Sequence, residues 1–145
     1  MSVPELRLLH GSCHCGNIRF DLGWPSTVAD IPARACTCTF CVKHGGVWTS
    51  NPAATLTIRF ADRTHVSEYQ FGTKTATFHV CGKCGVAPVV TSNIEGRTHA
   101  VVSINALDDV DPGSLKRAPI SFDGEGVGDR LARRQRNWIA DVRFD

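Results

Sequence analysis

The sequence predicts a mainly-β domain, and three observations carry that expectation. Short runs that are rich in β-branched residues, or that alternate polar and apolar residues, recur at intervals of about 10 residues. Thirteen glycines and seven prolines are scattered so that they punctuate those runs. Helical periodicity is scarce.

The expected strands are Ile18 to Leu22, Thr55 to Phe60, Val66 to Phe71, Ala76 to Val80, Ala87 to Thr91 and Thr98 to Ile104. The run Thr55-Leu56-Thr57-Ile58-Arg59-Phe60 alternates cleanly, as a strand with one buried face must. Asn93 to Gly96 sits between the last two runs and reads as a hairpin loop. The best helix is Asp129 to Ala140, with Asp129 as N-cap and Leu131, Gln135 and Trp138 on one face. Gly124 to Gly128 holds three glycines and reads as loop. The 145 residues read as one domain, with no linker, repeat or low-complexity tract.

Composition narrows the function classes. Apolar residues are 42 % and charged residues 21 %, which excludes wholesale disorder. No run approaches the roughly 20 apolar residues of a membrane span, so none is expected. Glu5 and Arg7 interrupt the N-terminus, so no secretory leader is expected there. A net charge of +2 is too small to point to a polyanion, and no nucleic-acid partner is expected. The basic stretch Arg130, Arg133, Arg134 and Arg136 reads as a solvated helix face beside Leu131 and Trp138.

Cysteine is the outlier. Seven occur, at 13, 15, 36, 38, 41, 81 and 84, in three clusters with none outside them. An odd number without a leader argues against a disulfide framework and for a reducing compartment, here the cytoplasm. Clustered reduced thiols bind metal.

Cys81-Gly82-Lys83-Cys84-Gly85 has the form of a zinc knuckle, with glycines that let amides turn toward the sulfurs. Joined to Cys13 and Cys15, it makes a tetrahedral four-thiolate structural zinc site. The same four donors also suit iron. The rival is a Cys81/Cys84 redox pair, against which the missing βαβ pattern speaks. Cys36, Cys38 and Cys41 can converge on a second ion and leave its fourth position open, the arrangement of a catalytic zinc. The rival here is closure by a fourth protein ligand such as His44. Two divalent ions against seven thiolates leave the chain close to neutral, whereas bare clustered thiolates would repel one another.

The order CxC, CxCxxC, CxxC resembles the glutathione-dependent formaldehyde-activating enzyme family, which also contains the centromere protein V domain. Gly11-Ser12-Cys13-His14-Cys15-Gly16-Asn17-Ile18-Arg19-Phe20 looks like the family's opening hairpin. Phe78 and Gly85 flank the closing knuckle, and Asn105-Ala106-Leu107-Asp108 resembles a late family element. The resemblance covers residues 8–110, with 111–145 as a looser C-terminal extension. It implies an Mss4-like (β-tent) fold of several short antiparallel sheets stapled by zinc, with a short C-terminal helix. It implies two zinc ions per chain: a structural one on Cys13, Cys15, Cys81 and Cys84, and a catalytic one on Cys36, Cys38 and Cys41. It implies carbon–sulfur lyase chemistry on a glutathione–aldehyde adduct, such as S-hydroxymethylglutathione formation from glutathione and formaldehyde. The basic N-terminal extension of centromere protein V has no counterpart before Gly11, so chromatin roles are not carried over. After Gly85 the family continues with a small polar residue, whereas this chain has Val86-Ala87-Pro88-Val89-Val90.

His44, three residues after Cys41, is the nearest titratable candidate for proton transfer in that chemistry. The rival is an exposed loop histidine. His14 is expected to point away from the metal, and His10, His65, His79 and His99 read as strand or surface positions. Lys43, Arg34 and Arg97 are candidates for holding substrate carboxylates. Trp24, Trp48 and Trp138 read as core aromatics, with Trp48 the candidate for a pocket. The rival to an enzyme is a non-catalytic zinc-binding module with two structural metal sites.

Overall fold

Phe20, Leu22 and Trp24, with Leu56 and Ile58, are at most 1 % exposed, and their alternation sets the fold's first layer. The computed structural model describes residues 5–145. Strands β1 (Leu6–Ser12) and β2 (Ile18–Pro25) form an antiparallel hairpin in register Leu6 to Pro25. β2 pairs antiparallel with β5 (Thr55–Phe60), reached through β3 (Ala33–Cys36), a six-residue helix α1 (Thr39–His44) and β4 (Val47–Thr49). The expected alternation in β5 is present: Leu56 and Ile58 face inward, and Arg59 faces outward to pair with Asp21 and Asp145.

The second layer takes β6 (Val66–Tyr69), β7 (Thr77–Cys81), β8 (Val89–Ile94) and β9 (Arg97–Ser103), then β10 (Arg117–Ile120). Its order is β10-β3-β4-β9-β8-β7-β6. Helix α2 (Val127–Asn137) follows, and β11 (Asp141–Phe144) returns to the first sheet, whose order is β1-β2-β5-β11. Val89, Ala100, Val102 and Ile104 of the second layer pack against the first, with Ile139 between them. Full burial of each such side chain contributes about 1.5–3 kcal/mol.

The mainly-β expectation holds, with differences of detail. The β8–β9 connection is two residues, Glu95 and Gly96, both at positive φ (52° and 78°). That is a type I′ turn, whose twist matches the strands. β11 pairs parallel with β5, and β10 parallel with β3, so neither sheet is purely antiparallel. Both parallel pairs join segments far apart in sequence, and only such long connections permit them. α2 begins at Val127 with Gly126 as its N-cap, so Asp129 lies in the first turn, where its carboxylate still favours the positive helix end. Helix α1 was not expected, since six residues carry too little periodicity to register.

Gly11 in β1 lies against the face of the buried Phe20 ring, and a Cβ there would overlap it. Gly11→Ala is expected to destabilise the protein by about 3 kcal/mol. Thermal denaturation should show Tm lowered by roughly 10 °C.

Candidate metal centres and cavity

The β1–β2 hairpin turn carries Cys13 and Cys15, and the end of β7 carries Cys81 with Cys84 in the turn after it. These strands belong to different sheets, so the four sulfurs meet at a seam between the layers. All four lie within 4.8 Å of one another. Cys13 Sγ to Cys15 Sγ is 3.8 Å and Cys15 Sγ to Cys81 Sγ is 3.5 Å. A tetrahedral ion with bonds of about 2.3 Å needs sulfurs about 3.8 Å apart, so the donors fit zinc without rearrangement.

Backbone amides point at the sulfurs, as the knuckle motif requires. Ile18 N–H donates to Cys13 Sγ at 3.2 Å, and Lys83 and Cys84 N–H donate to Cys81 Sγ at 3.3 and 3.4 Å. Gly85, at φ 81°, closes the knuckle with its N–H on the Cys81 carbonyl at 2.8 Å. Burial pushes the Cys13 thiol up to about 11. Burial also opposes ionisation of Cys81, but the amides of Cys84 and Lys83 outweigh it and bring that thiol down to about 6. Protons and charge are shared unevenly among the four, the condition that a divalent cation relieves.

Asn17 supports this centre and was missed in the sequence. It is buried, and its side chain donates to the Asp62 and His65 carbonyls and accepts from Asp62 N–H at 2.9 Å. The His65 carbonyl in turn accepts from Gly82 N–H at 2.7 Å. The hairpin turn and the knuckle are thus tied through one strand-free segment. An asparagine beside Cys15-Gly16 carries no signal of that long-range role.

The second cluster is built by β3 and α1. Cys36 ends β3, Cys38 is the N-cap of α1, and Cys41 lies one turn on. Their sulfurs also lie within 4.8 Å of one another, and no fourth His, Cys, Asp or Glu joins them among the described residues. Cys38 Sγ accepts from Cys41 N–H at 3.4 Å, and Cys41 Sγ accepts from Trp48 Nε1 at 3.3 Å. A Cβ on Gly46 would lie 2.9 Å from Trp48 Nε1 and 3.1 Å from Cys41 Sγ, so only glycine leaves that bond intact. The Cys41 thiol donates to Cys36 and holds it down to about 5, and the same bond together with burial raises Cys41. All seven cysteines are free of disulfides.

The three sulfurs lie in the wall of a cavity of about 380 Å³. Part of its lining is apolar: Trp48, Phe71, Phe78, Val90, Val101 and Trp138. Part is basic: Arg34 from β3 and Arg130, Arg133 and Arg134 from α2. Positions 130, 133, 134 and 137 follow helical spacing, so one face of α2 turns into the cavity. This corrects the expectation of a solvated arginine face. Arg134 is 6 % exposed, donates to Thr75 Oγ1 and Ser92 Oγ, and lies over the Trp138 ring at 4.9 Å. Burial lowers its pKa to about 10, so it remains charged at neutral pH. Of the stretch Arg130, Arg133, Arg134 and Arg136, only Arg136 is exposed. The signal was present as the spacing of 130, 133, 134 and 137, but the apolar Leu131–Trp138 pattern competed with it.

The other candidates separate. Trp24 is core, whereas Trp48 and Trp138 both line the cavity. Arg34 lines it, while Arg97 donates to the Ala140 carbonyl elsewhere. His44 and Lys43 lie outside it, along a shallow groove with Phe40 and Tyr69, and the His44 ring stacks on Phe40 at 5.2 Å. His14 is exposed, and His10 and His65 are surface positions. His79 and His99 are buried in β7 and β9. No helix among the described residues is long and apolar enough to cross a membrane.

Comparison with known proteins agrees with this geometry. A Halomonas elongata protein that carries the name of a glutathione-dependent formaldehyde-activating enzyme is 32 % identical over 87 residues. That match spans 55 % of this chain and 54 % of the relative, about half the length of each. A crystal structure of a Rhodobacter sphaeroides protein superposes with a TM-score of 0.55 at 26 % identity, covering 76 % of this chain and 97 % of that one. The model of the family described as glutathione-dependent formaldehyde-activating enzyme matches residues 8–120, which include all seven cysteines. By that match and by the two thiol clusters it brings together, the chain belongs to the glutathione-dependent formaldehyde-activating enzyme family.

Proposed function

We propose that the chain is a zinc-dependent enzyme of carbon–sulfur lyase type. It acts on adducts of a thiol and an aldehyde, with glutathione and formaldehyde as the reference pair. One observation carries the reading: three converging sulfurs in a cavity wall, with no fourth protein ligand among the described residues. A closed structural module would need that fourth ligand, and His44, placed in the outer groove, is not grouped with the sulfurs.

In this reading Cys13, Cys15, Cys81 and Cys84 hold a structural zinc, and Cys36, Cys38 and Cys41 hold the zinc on the substrate side. An ion at the second site supplies Lewis-acid charge that favours a thiolate or polarises a carbonyl. The chain's own residues do the rest. Trp48 N–H orients Cys41. Trp48, Phe71, Phe78 and Trp138 keep water from the reacting sulfur and strengthen charge interactions there. Bond formation joins the substrate sulfur to the aldehyde carbon, and the proton the thiol gives up ends on the carbonyl oxygen; the reverse step breaks the carbon–sulfur bond and returns that proton to sulfur. His44 lies outside the cavity lining, so we give it no part in that proton transfer. The described residues act as one unit, because residues between Ile120 and Trp138 help line the cavity. The free thiols favour the cytoplasm.

Elemental analysis of protein purified without added metal is expected to give about two zinc per chain. Mixing that protein with glutathione and formaldehyde should accelerate adduct formation above the spontaneous rate. One zinc per chain and no acceleration would reduce the protein to a zinc-stapled fold.

A further inference from the structure

The four cavity arginines exceed the acids that face them. Glu125 takes Arg133 through a bidentate pair, with Nε at 3.0 Å, and reaches Arg130 at 3.9 Å. Asp123 is exposed at the rim. Arg34 and Arg134 have no carboxylate partner among the described residues. Three thiolates around a divalent ion would contribute one further negative charge, so an excess of one positive charge remains. Holding like charges together in a half-buried cavity is costly unless an anion joins them.

The guanidinium groups are already positioned. Arg34 Nη1 donates to Ser50 Oγ at 3.1 Å, and Ser50 Oγ donates to the Asn137 carbonyl at 2.8 Å, which locks β3 to the end of α2. That leaves the remaining side-chain N–H groups of Arg34 without an acceptor among the described residues. Arg133 lies over the Phe122 ring, its guanidinium carbon 3.5 Å from the centroid, and its Nη1 has no acceptor among the described residues. Both arginines line the same cavity as the three sulfurs. Two planar donors in the lining of one cavity with aromatic walls match a planar, bidentate acceptor. The α2 donor lies beyond residue 120, outside the segment that the family model matches.

We propose that Arg34 and Arg133 form a carboxylate-binding wall that holds one carboxylate of the substrate, whose apolar body lies along Trp48, Phe78 and Trp138 and whose sulfur faces Cys36, Cys38 and Cys41. The proposal rests on the reading of this cavity as the substrate pocket. It makes residues 121–138 the specificity element: they select a monoanionic, carboxylate-bearing thiol adduct over a neutral one.

Trp48 and Trp138 line the cavity, so tryptophan emission of the intact, metal-loaded chain reports occupancy without turnover. Titration with 3-phenylpropionate should change that emission, whereas 3-phenylpropionamide and inorganic phosphate should bind at least tenfold more weakly. Arg34→Gln and Arg133→Gln should weaken the acid by about tenfold to a hundredfold. Arg34→Lys should recover part of the loss, and Arg136→Gln, on the solvent side of α2, should change nothing. Equal binding of acid and amide, or of phosphate, would overturn the proposal, and so would a folded Arg34→Gln that binds like the wild type. The last result would mean that the acid sits on the metal. If Arg34→Gln fails to fold, Arg133→Gln decides, because an acid held only by the metal would bind that variant like the wild type. Turnover separates the two readings. Acid binding without adduct chemistry sinks the lyase and keeps the wall, and equal turnover of 3-mercaptopropionate and its amide sinks the wall and keeps the lyase.

Discussion

Cys81→Ser is expected to leave the chain largely unfolded. Cys81 is 1 % exposed at the seam between the two sheets, where its sulfur meets those of Cys13, Cys15 and Cys84. The apolar cluster around it is small: Cys13, Ile18 and Cys81, with Phe60, Val66 and Val86 at its edge. That cluster cannot hold the hairpin turn against the knuckle without the ion. Structural zinc on four thiolates contributes on the order of 10 kcal/mol, which equals or exceeds the whole stability of a typical domain. Circular dichroism and thermal denaturation should show the cooperative transition lost, and a strong chelator should do the same to the wild type. A Cys81→Ser protein with wild-type Tm would refute the staple.

Cys38→Ser is expected to do the opposite: folding is kept and activity falls about a thousandfold, the loss expected when several kcal/mol of transition-state stabilisation disappear. Cys38 is only half-buried at the start of a six-residue helix. The segment stays anchored without its sulfur, because Thr37 N–H donates to the Ile120 carbonyl and Gly46 N–H to the Cys41 carbonyl. Zinc content should drop by about one per chain, with Tm lowered by only a few degrees. Full activity at two zinc per chain in this variant would remove the three-thiol centre from the mechanism. Equal unfolding by Cys38→Ser and Cys81→Ser would abolish the division into structural and substrate-side sites.

Much of the fold was legible. β5 was read nearly residue for residue, because its side chains alternate between a buried face and water. The β8–β9 hairpin was legible as a loop at Asn93 to Gly96, but the turn itself is only Glu95-Gly96, because Asn93 and Ile94 continue β8. β10 and β11 were not. Each is a four-residue strand at a sheet edge, half exposed, and each pairs parallel with a partner far away in sequence. No local pattern encodes such a pairing. Helix α2 was found, but its functional face was misassigned, because a buried arginine is rare and the apolar residues gave the more ordinary reading.

The sequence by itself determined the chemistry of the donors. Seven cysteines at 13, 15, 36, 38, 41, 81 and 84 have few other uses in one reduced chain, and their spacing fits sets of four and three. Cysteine spacing is local, and thiolate–metal preference is a property of the side chain, so both can be read without a fold. Only the tertiary structure decided what the second set faces. It turned Arg130, Arg133 and Arg134 inward, brought Arg34 across from β3, left His44 outside, and added Trp138 to Trp48 in the cavity wall. Those placements depend on where α2 docks after β10 adds to the sheet edge. Docking is decided by long-range packing, which no stretch of neighbouring residues contains.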